Sequence, residues 1–347
     1  MRTSVDSVVY TSGAQKILVG ELPEGREIFY TSYMLLLAFL SFLNIGEEAI
    51  IYVQFAAAIT AIFCSYKLSF NLTGKSSIAL LAPILYVLWF KFQQWNLVLY
   101  TDALFSHMVI ISIYALVNAD NTKKKLAVIP LIIFTCFIRP TGFGLLLAAF
   151  VFLVKNMIEN RGFKRGEKMV FFFVLFLISV LLLNAAMCDF VDSFLESYQV
   201  AEVIYPKIQI FVDLPSYLII SDGNYPPLVR LSLFIIQNPI YFLKLSVIKG
   251  ALFLGHIKPY YSTSHNVLIG LFLYPTYLLA VRGYLSLKDS KVKWVLLTFI
   301  LFQFLTVCMT SENWDGRFLL PVLPPIFILS SLGANYYLEK VRLKTSL

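Results

Sequence analysis

The stretch KKKLAVIPLIIFTCFIRPTGFGLLLAAFVFLVK, from Lys123 to Lys155, decides how this chain is organised. Two apolar runs, about 126–138 and 141–154, are divided by Arg139-Pro140-Thr141-Gly142 and closed at both ends by lysine. Lysine and arginine accumulate in the cytoplasmic breaks of membrane proteins. Two cytoplasmic ends require one outward and one returning span, which puts Arg139 at the outer face.

Composition agrees with a bilayer as the main solvent. Of 347 residues, 59% are hydrophobic and 14% charged, and the mean hydropathy is +0.77, outside the range of soluble domains. Apolar runs of about 15–23 residues recur along the chain with short polar breaks, the signature of a polytopic helical membrane protein. The net charge of +8 sits in those breaks, so it reads as orientation bias and excludes nucleic acid as the expected partner. The four cysteines form no CxxC or disulfide pattern and the three histidines are dispersed.

Further basic breaks at Lys155–Lys168, Arg282–Lys293 and Lys340–Lys344 extend the parity argument. The last two send one helix out, about 294–309, and one back, about 318–337, placing Arg317 at the outer face. Working back from Lys123, spans at about 98–117, 77–92 and 49–66 leave Lys67 and Lys75 inside and Asp102 within about one turn of the outer surface. Residues 1–48 then lie outside, although the apolar run at about 28–45 is nearly long enough to cross. It is either a juxtamembrane helix or a span with a cytoplasmic N-terminus, and charge leaves both open. The polar stretch 188–230 follows an outward span at about 169–187. The run 231–254 carries Lys244, Lys249 and Asn238-Pro239 and reads as interfacial or re-entrant. The expected fold is an all-α polytopic membrane bundle of about nine spans. Its segments are an outer loop with juxtamembrane helices (1–48), membrane helices (49–187), an outer loop with an interfacial helix (188–264), and membrane helices with a short tail (265–347).

One face thus collects Asp6, Asp102, Arg139, a segment at His256–Tyr261 that includes Lys258, His265, and Arg317. An acid there can act as general base on a hydroxyl while cations hold a leaving phosphate; the same cations could instead guide an anionic glycolipid through a transporter. The run after Arg317 contains Pro321, Pro324 and Pro325, which calls for neighbouring helices or a water-lined cavity to satisfy freed carbonyls.

Four ordered motifs resemble the GT-C glycosyltransferases, in particular family 39-like and protein O-mannosyltransferase-like members. They are Asp6-Ser-Val-Val-Tyr10 with Tyr30-Thr-Ser-Tyr33, then Tyr100-Thr-Asp-Ala-Leu-Phe105, Phe137-Ile-Arg-Pro-Thr-Gly-Phe143, and Gly316-Arg-Phe-Leu-Leu-Pro-Val-Leu-Pro324. The resemblance implies a GT-C-like bundle in the cytoplasmic (inner) membrane whose active site faces outside. It implies inverting transfer from a polyprenyl-phosphate-sugar donor to a glycan, glycolipid or protein acceptor. Asp6 would be the catalytic base and Asp102 would assist acceptor or metal placement. Tyr10, Arg139, Lys258, His265 and Arg317 would bind substrate, the two arginines on the phosphate side. It also makes 28–45 a juxtamembrane helix. Members differ in their use of a divalent metal; with no clustered ligands, none is expected here. The family commonly pairs two acids in its first loop, whereas Ser7 follows Asp6, so Glu21, Glu24 or Asp102 would supply the second. It also begins with a span before that loop, and only five residues precede Asp6; the expectation is a longer reading frame encoding about 20 apolar residues upstream. A flippase of lipid-linked saccharide and an O-antigen polymerase or ligase share the many spans and outer cations.

Overall fold

The computed structural model describes residues 2–3, 5–161, 190–221, 223–288 and 290–345, with Gly166, Leu177, Leu181, Asn184, Met187 and Cys188 between them. In chain order the α-helices over the described residues are α1 (Val5–Leu18), α2 (Thr31–Phe42), α3 (Ile50–Thr73), α4 (Ser76–Ala79), α5 (Leu81–Leu88), α6 (Phe90–Asn96), α7 (Thr101–Val117), α8 (Thr122–Cys136), α9 (Phe143–Arg161), α10 (Val191–Gln199), α11 (Pro227–Gln237), α12 (Pro239–Gly255), α13 (Thr263–Ser286), α14 (Ser290–Met309) and α15 (Leu323–Thr345). The chain divides into two compact units: Met1–Leu153 with Ile257–Gln303 and Arg317–Leu347, and Val154–His256 with Phe304–Gly316.

The fold is that of an all-α membrane protein. Among the described residues, four helical stretches are long and apolar enough to cross a bilayer: Glu47–Thr73, Thr263–Ser286, Lys291–Met309 and Arg317–Arg342. The count rises to six if each of two bent pairs is one span. The described residues thus hold fewer spans than the nine expected over the whole chain. The expected run at 98–117 becomes the shorter apolar helix Thr101–Val117, which at 17 residues reaches only about 25 Å against a hydrocarbon core of about 30 Å, and the run at 141–154 falls within the apolar stretch Pro140–Asn156, likewise below the length of the four. The expected span at 169–187 falls almost wholly outside the described residues. Helix α2 has 12 residues, about 18 Å, and the turn before it carries Arg26 and Glu27, so α2 is too short to cross.

In the first unit α15 is the central helix. The membrane-compatible window of Arg317–Arg342 is 83% buried, against 28–39% for the other three, and α15 packs on α3, α4, α5, α7 and α13. The prolines that motivated a cavity prove to sit elsewhere than mid-helix. Pro321 belongs to a 3-10 turn, Arg317–Val322, and Pro324 and Pro325 fall in the first turn of α15, where backbone N–H groups have no helical partner to lose. They start the helix and free no carbonyl in its interior.

Helices α13 and α15 approach through reciprocal glycines. A Cβ on Gly283 would collide with the Leu329 carbonyl, and one on Gly333 with that of Leu279. Between them the Ser330 hydroxyl donates to the Thr276 carbonyl at 2.8 Å, and the Arg282 guanidinium lies 3.4 Å from the Tyr336 ring centroid. Such close backbone approach is how helices associate in a solvent as apolar as their own side chains. Gly283→Ala and Gly333→Ala are each expected to destabilise by about 1–3 kcal/mol, the usual cost of forced overpacking. Gly270→Ala, whose Cβ meets only the Tyr274 ring at ordinary contact distance, should stay within about 0.5 kcal/mol. Thermal unfolding in detergent reads the difference.

The second unit is built on Tyr198. Its ring stacks on Phe242 at 5.4 Å, and its hydroxyl joins the Ser246 hydroxyl at 3.0 Å and the Cys308 carbonyl at 3.2 Å. The buried Lys249 ammonium lies 4.0 Å from the same ring and donates to the Thr310 carbonyl. Two-residue strands, β1 (Ile204–Tyr205) and β2 (Glu312–Asn313), pair in parallel. The run read as interfacial or re-entrant is α11 and α12, bent by 102°. Proline at 239 disfavours a helical residue before it, and Asn238 holds the bend by exchanging two side-chain bonds with the Ile219 backbone, at 3.1 and 2.8 Å.

Candidate functional site

Four segments remote in sequence bring their charged residues together in the first unit. Asp102 stands in the first turn of α7, where the unpaired N–H groups of a helix start favour a carboxylate. Arg139 precedes a 3-10 turn, Pro140–Gly142. That reversal needs glycine at 142, because a Cβ there would strike the Cys136 backbone. Arg317 opens the 3-10 turn that leads into α15. Asp6 lies in the first turn of α1, and Ser7 beside it donates to the Leu99 carbonyl at 2.7 Å, which ties α1 to the approach to α7.

Charges alternate along the cluster. Arg139 pairs with Asp102. Arg317 reaches Asp102 at 3.5 Å and Asp6 at 3.7 Å. Side-chain exposure separates the roles: Asp102 is at 0% and Arg139 at 10%, whereas Arg317 is at 13% and Asp6 at 47%. Asp6 is therefore the open end of an otherwise enclosed chain of ions. Burial, and then the neighbouring Arg317 charge, pull the Arg139 guanidinium down to about 10, which leaves it cationic at neutral pH. Charge-assisted hydrogen bonds normally run about 2.7–2.9 Å, so the contacts of Arg317 with Asp102 and Asp6, at 3.5 and 3.7 Å, are long ones.

Aromatic rings wall the cluster. The Arg317 guanidinium is 4.3 Å from the Tyr100 ring centroid, 5.8 Å from Trp95 and 5.7 Å from Phe318, and Arg139 is 4.8 Å from Phe318. Cations held against aromatic faces keep electrostatic stabilisation that bulk water would otherwise provide.

Four of the residues expected from sequence thus meet, and three stand differently. Tyr10, expected to touch substrate, is 3% exposed and enclosed by Tyr30 and Tyr33, each at 5.3 Å, and Tyr100 at 5.7 Å. Burial and then Tyr30 push its phenol up, so it serves as a neutral packing group under the site. Lys258 and His265 are organised around the start of α13. The Lys258 backbone exchanges two bonds with the Asn266 side chain, at 3.2 and 2.9 Å, while His265 stacks on Tyr261 at 4.4 Å and donates its N–H to the capping Ser262 hydroxyl. Of the acids offered as a partner for Asp6, Asp102 shares Arg317 with it, while Glu21 and Glu24 are exposed after α1. Trp95 and Phe318 were not legible as site residues, because tryptophan and phenylalanine beside apolar runs look like ordinary interface anchors. No family model, no curated protein and no solved structure matches this chain, so the resemblance rests on its own residues.

Proposed function

We propose that this protein is an integral-membrane glycosyltransferase. It takes a sugar from a polyprenyl-phosphate donor and passes it, with inversion, to an acceptor hydroxyl at the extracytoplasmic face of the inner membrane. The observation that carries this reading is the half-exposed Asp6 carboxylate at the open end of the ion chain, 3.7 Å from Arg317. Asp6 is the general base that takes the acceptor proton. Arg317, a planar cation next to that carboxylate, holds the phosphate as the sugar–phosphate bond breaks, stabilising the charge left on the leaving oxygen. A phosphate that draws Arg317 away from Asp6 also frees that carboxylate to accept a proton. Asp102 and Arg139 act through Arg317: committed to each other, they fix where its guanidinium points. The expected topology of about nine spans, with residues 6, 102, 139 and 317 at one surface, belongs to this proposal.

The test is transfer of labelled sugar from a polyprenyl-phosphate donor in proteoliposomes. Arg317→Ala should weaken donor affinity by about 10- to 100-fold, from the roughly 1.5–3 kcal/mol of a hydrogen bond to a charged group. Its unfolding temperature should change far less, because Asp102 keeps Arg139 as a partner. Movement of the intact lipid across the bilayer without transfer would instead identify a flippase. Transfer that tolerates loss of Asp6 but fails with substitutions at His256 or His265 would identify a polymerase or ligase.

A further inference from the structure

The segment from Trp95 to Asp102, where α6 ends and α7 begins, supplies the Trp95 and Tyr100 rings that face Arg317 and the carboxylate that pairs with it. It is gripped from three directions. Arg2 exchanges backbone bonds with Leu97 and Leu99, both 3.0 Å, and Ser7 holds the Leu99 carbonyl. From α3, the Gln54 amide donates to the carbonyls of Asn96 and Val98 at 2.9 and 3.1 Å. From α7, His107 Nε2 meets the Asn96 side-chain oxygen at 2.8 Å, and its Nδ1 meets the Tyr86 hydroxyl at 2.6 Å. Gln54, Tyr86, Asn96 and His107 are all at 0% exposure.

The donors and acceptors order this chain. A carboxamide oxygen only accepts, so Nε2 carries the proton and Nδ1 accepts from Tyr86. Tyr86 donates to His107, which donates to Asn96. The chain crosses a bend. Helices α5 and α6 meet at 55° at Trp89, with neither proline nor glycine at the break, although such kinks usually have one of those causes. Tyr86 lies before the bend and Asn96 at the far end of α6, so the imidazole bridges the two limbs.

We propose that His107 is a positioning residue of the candidate site: as a strut across the α5–α6 bend, acting through Asn96, it sets where Trp95 and Tyr100 stand against Arg317. Its kinetic consequence rests on the transferase reading, while its structural consequence does not. Without the strut, the end of α6 keeps only backbone anchors, from Gln54 and Arg2, and its side-chain tie across the Trp89 bend is lost, so Trp95 shifts off the guanidinium.

The experiment uses the full chain with Trp89, Trp294 and Trp314 replaced by phenylalanine, leaving Trp95 as the sole tryptophan of four. His107→Leu should red-shift Trp95 emission and strengthen its quenching by acrylamide. In the same chain kcat should fall about 10- to 100-fold, the scale of a displacement near 1 Å at a reacting group. His107→Gln, which keeps one donor and one acceptor, should restore both in large part. Ser112→Ala serves as control: it removes another buried bond of α7, to Thr135 at 2.9 Å, and should move neither. Unchanged Trp95 emission in His107→Leu overturns the strut, as does an equal change in Ser112→Ala or no rescue by glutamine. If Trp95 responds as stated but the parent chain transfers no sugar, the strut stands and the transferase reading falls. Should His107→Leu not fold, Tyr86→Phe removes only the hydroxyl that fixes the ring and is read in the same way.

Discussion

Asp6→Asn is expected to lower the rate of sugar transfer by about 10²- to 10⁴-fold, the contribution typical of a positioned general base, while donor affinity changes little. Asparagine keeps the shape and the oxygen that Arg317 meets but cannot take a proton. The substitution is also a clean one. Asp6 is half exposed and its contact with Arg317 is 3.7 Å, and exposed ion pairs of this kind contribute about 0–1 kcal/mol, so the variant should fold like the parent. A parallel loss of kcat and kcat/KM with unaltered donor binding marks an interaction made in the transition state alone. Wild-type turnover in this variant would remove Asp6 from the mechanism.

The second large effect is one of stability. Asp102→Asn leaves Arg139 buried with Arg317 as its neighbour and no carboxylate between them. Removing one partner of a buried ion pair costs about 3–5 kcal/mol, because the survivor stays charged in a poor solvent. A second substitution, Arg139→Met, should return stability to within about 1 kcal/mol of the parent, since well-packed apolar replacements of buried pairs are often neutral. The double variant should still transfer sugar poorly, because nothing then directs Arg317. Unfolding in detergent and the transfer assay together read the split. An Asp102→Asn variant as stable as the parent would show that the pair carries no buried charge.

The location of the cluster was legible before its geometry. Basic breaks and parity led to the expectation of Asp102, Arg139 and Arg317 at one face, and two ion pairs join these three residues. The bend at Asn238-Pro239 was legible too, because proline acts locally. The bend at Trp89, φ −75 and ψ 90, was not: the Trp89 ring packs on Phe272 at 5.2 Å and the bend is spanned by His107, residues on other helices that leave no local mark. The prolines after Arg317 misled because a proline's effect depends on its position within a helix, and the helix start is set by the 3-10 turn before it. The burial of Tyr10 was not legible, because tyrosine suits both an interface and a core. His107 passed as one of three dispersed histidines, since its partners lie on other helices.

The order of synthesis gives the burial of α15 a consequence for biogenesis. The faces of α3, α5, α7 and α13 that it covers leave the ribosome before α15 exists. A soluble protein exposing such a surface would aggregate, but here lipid tails can wet those faces until α15 arrives and displaces them. Arg317 reaches Asp102 and Asp6 only at that moment, so the nascent chain holds the Asp102–Arg139 pair without its third partner until α15 inserts. Assembly of the ion chain is thereby coupled to the synthesis of α15, and ribosome-stalled chains that end before α15 should be the species recognised by membrane quality control.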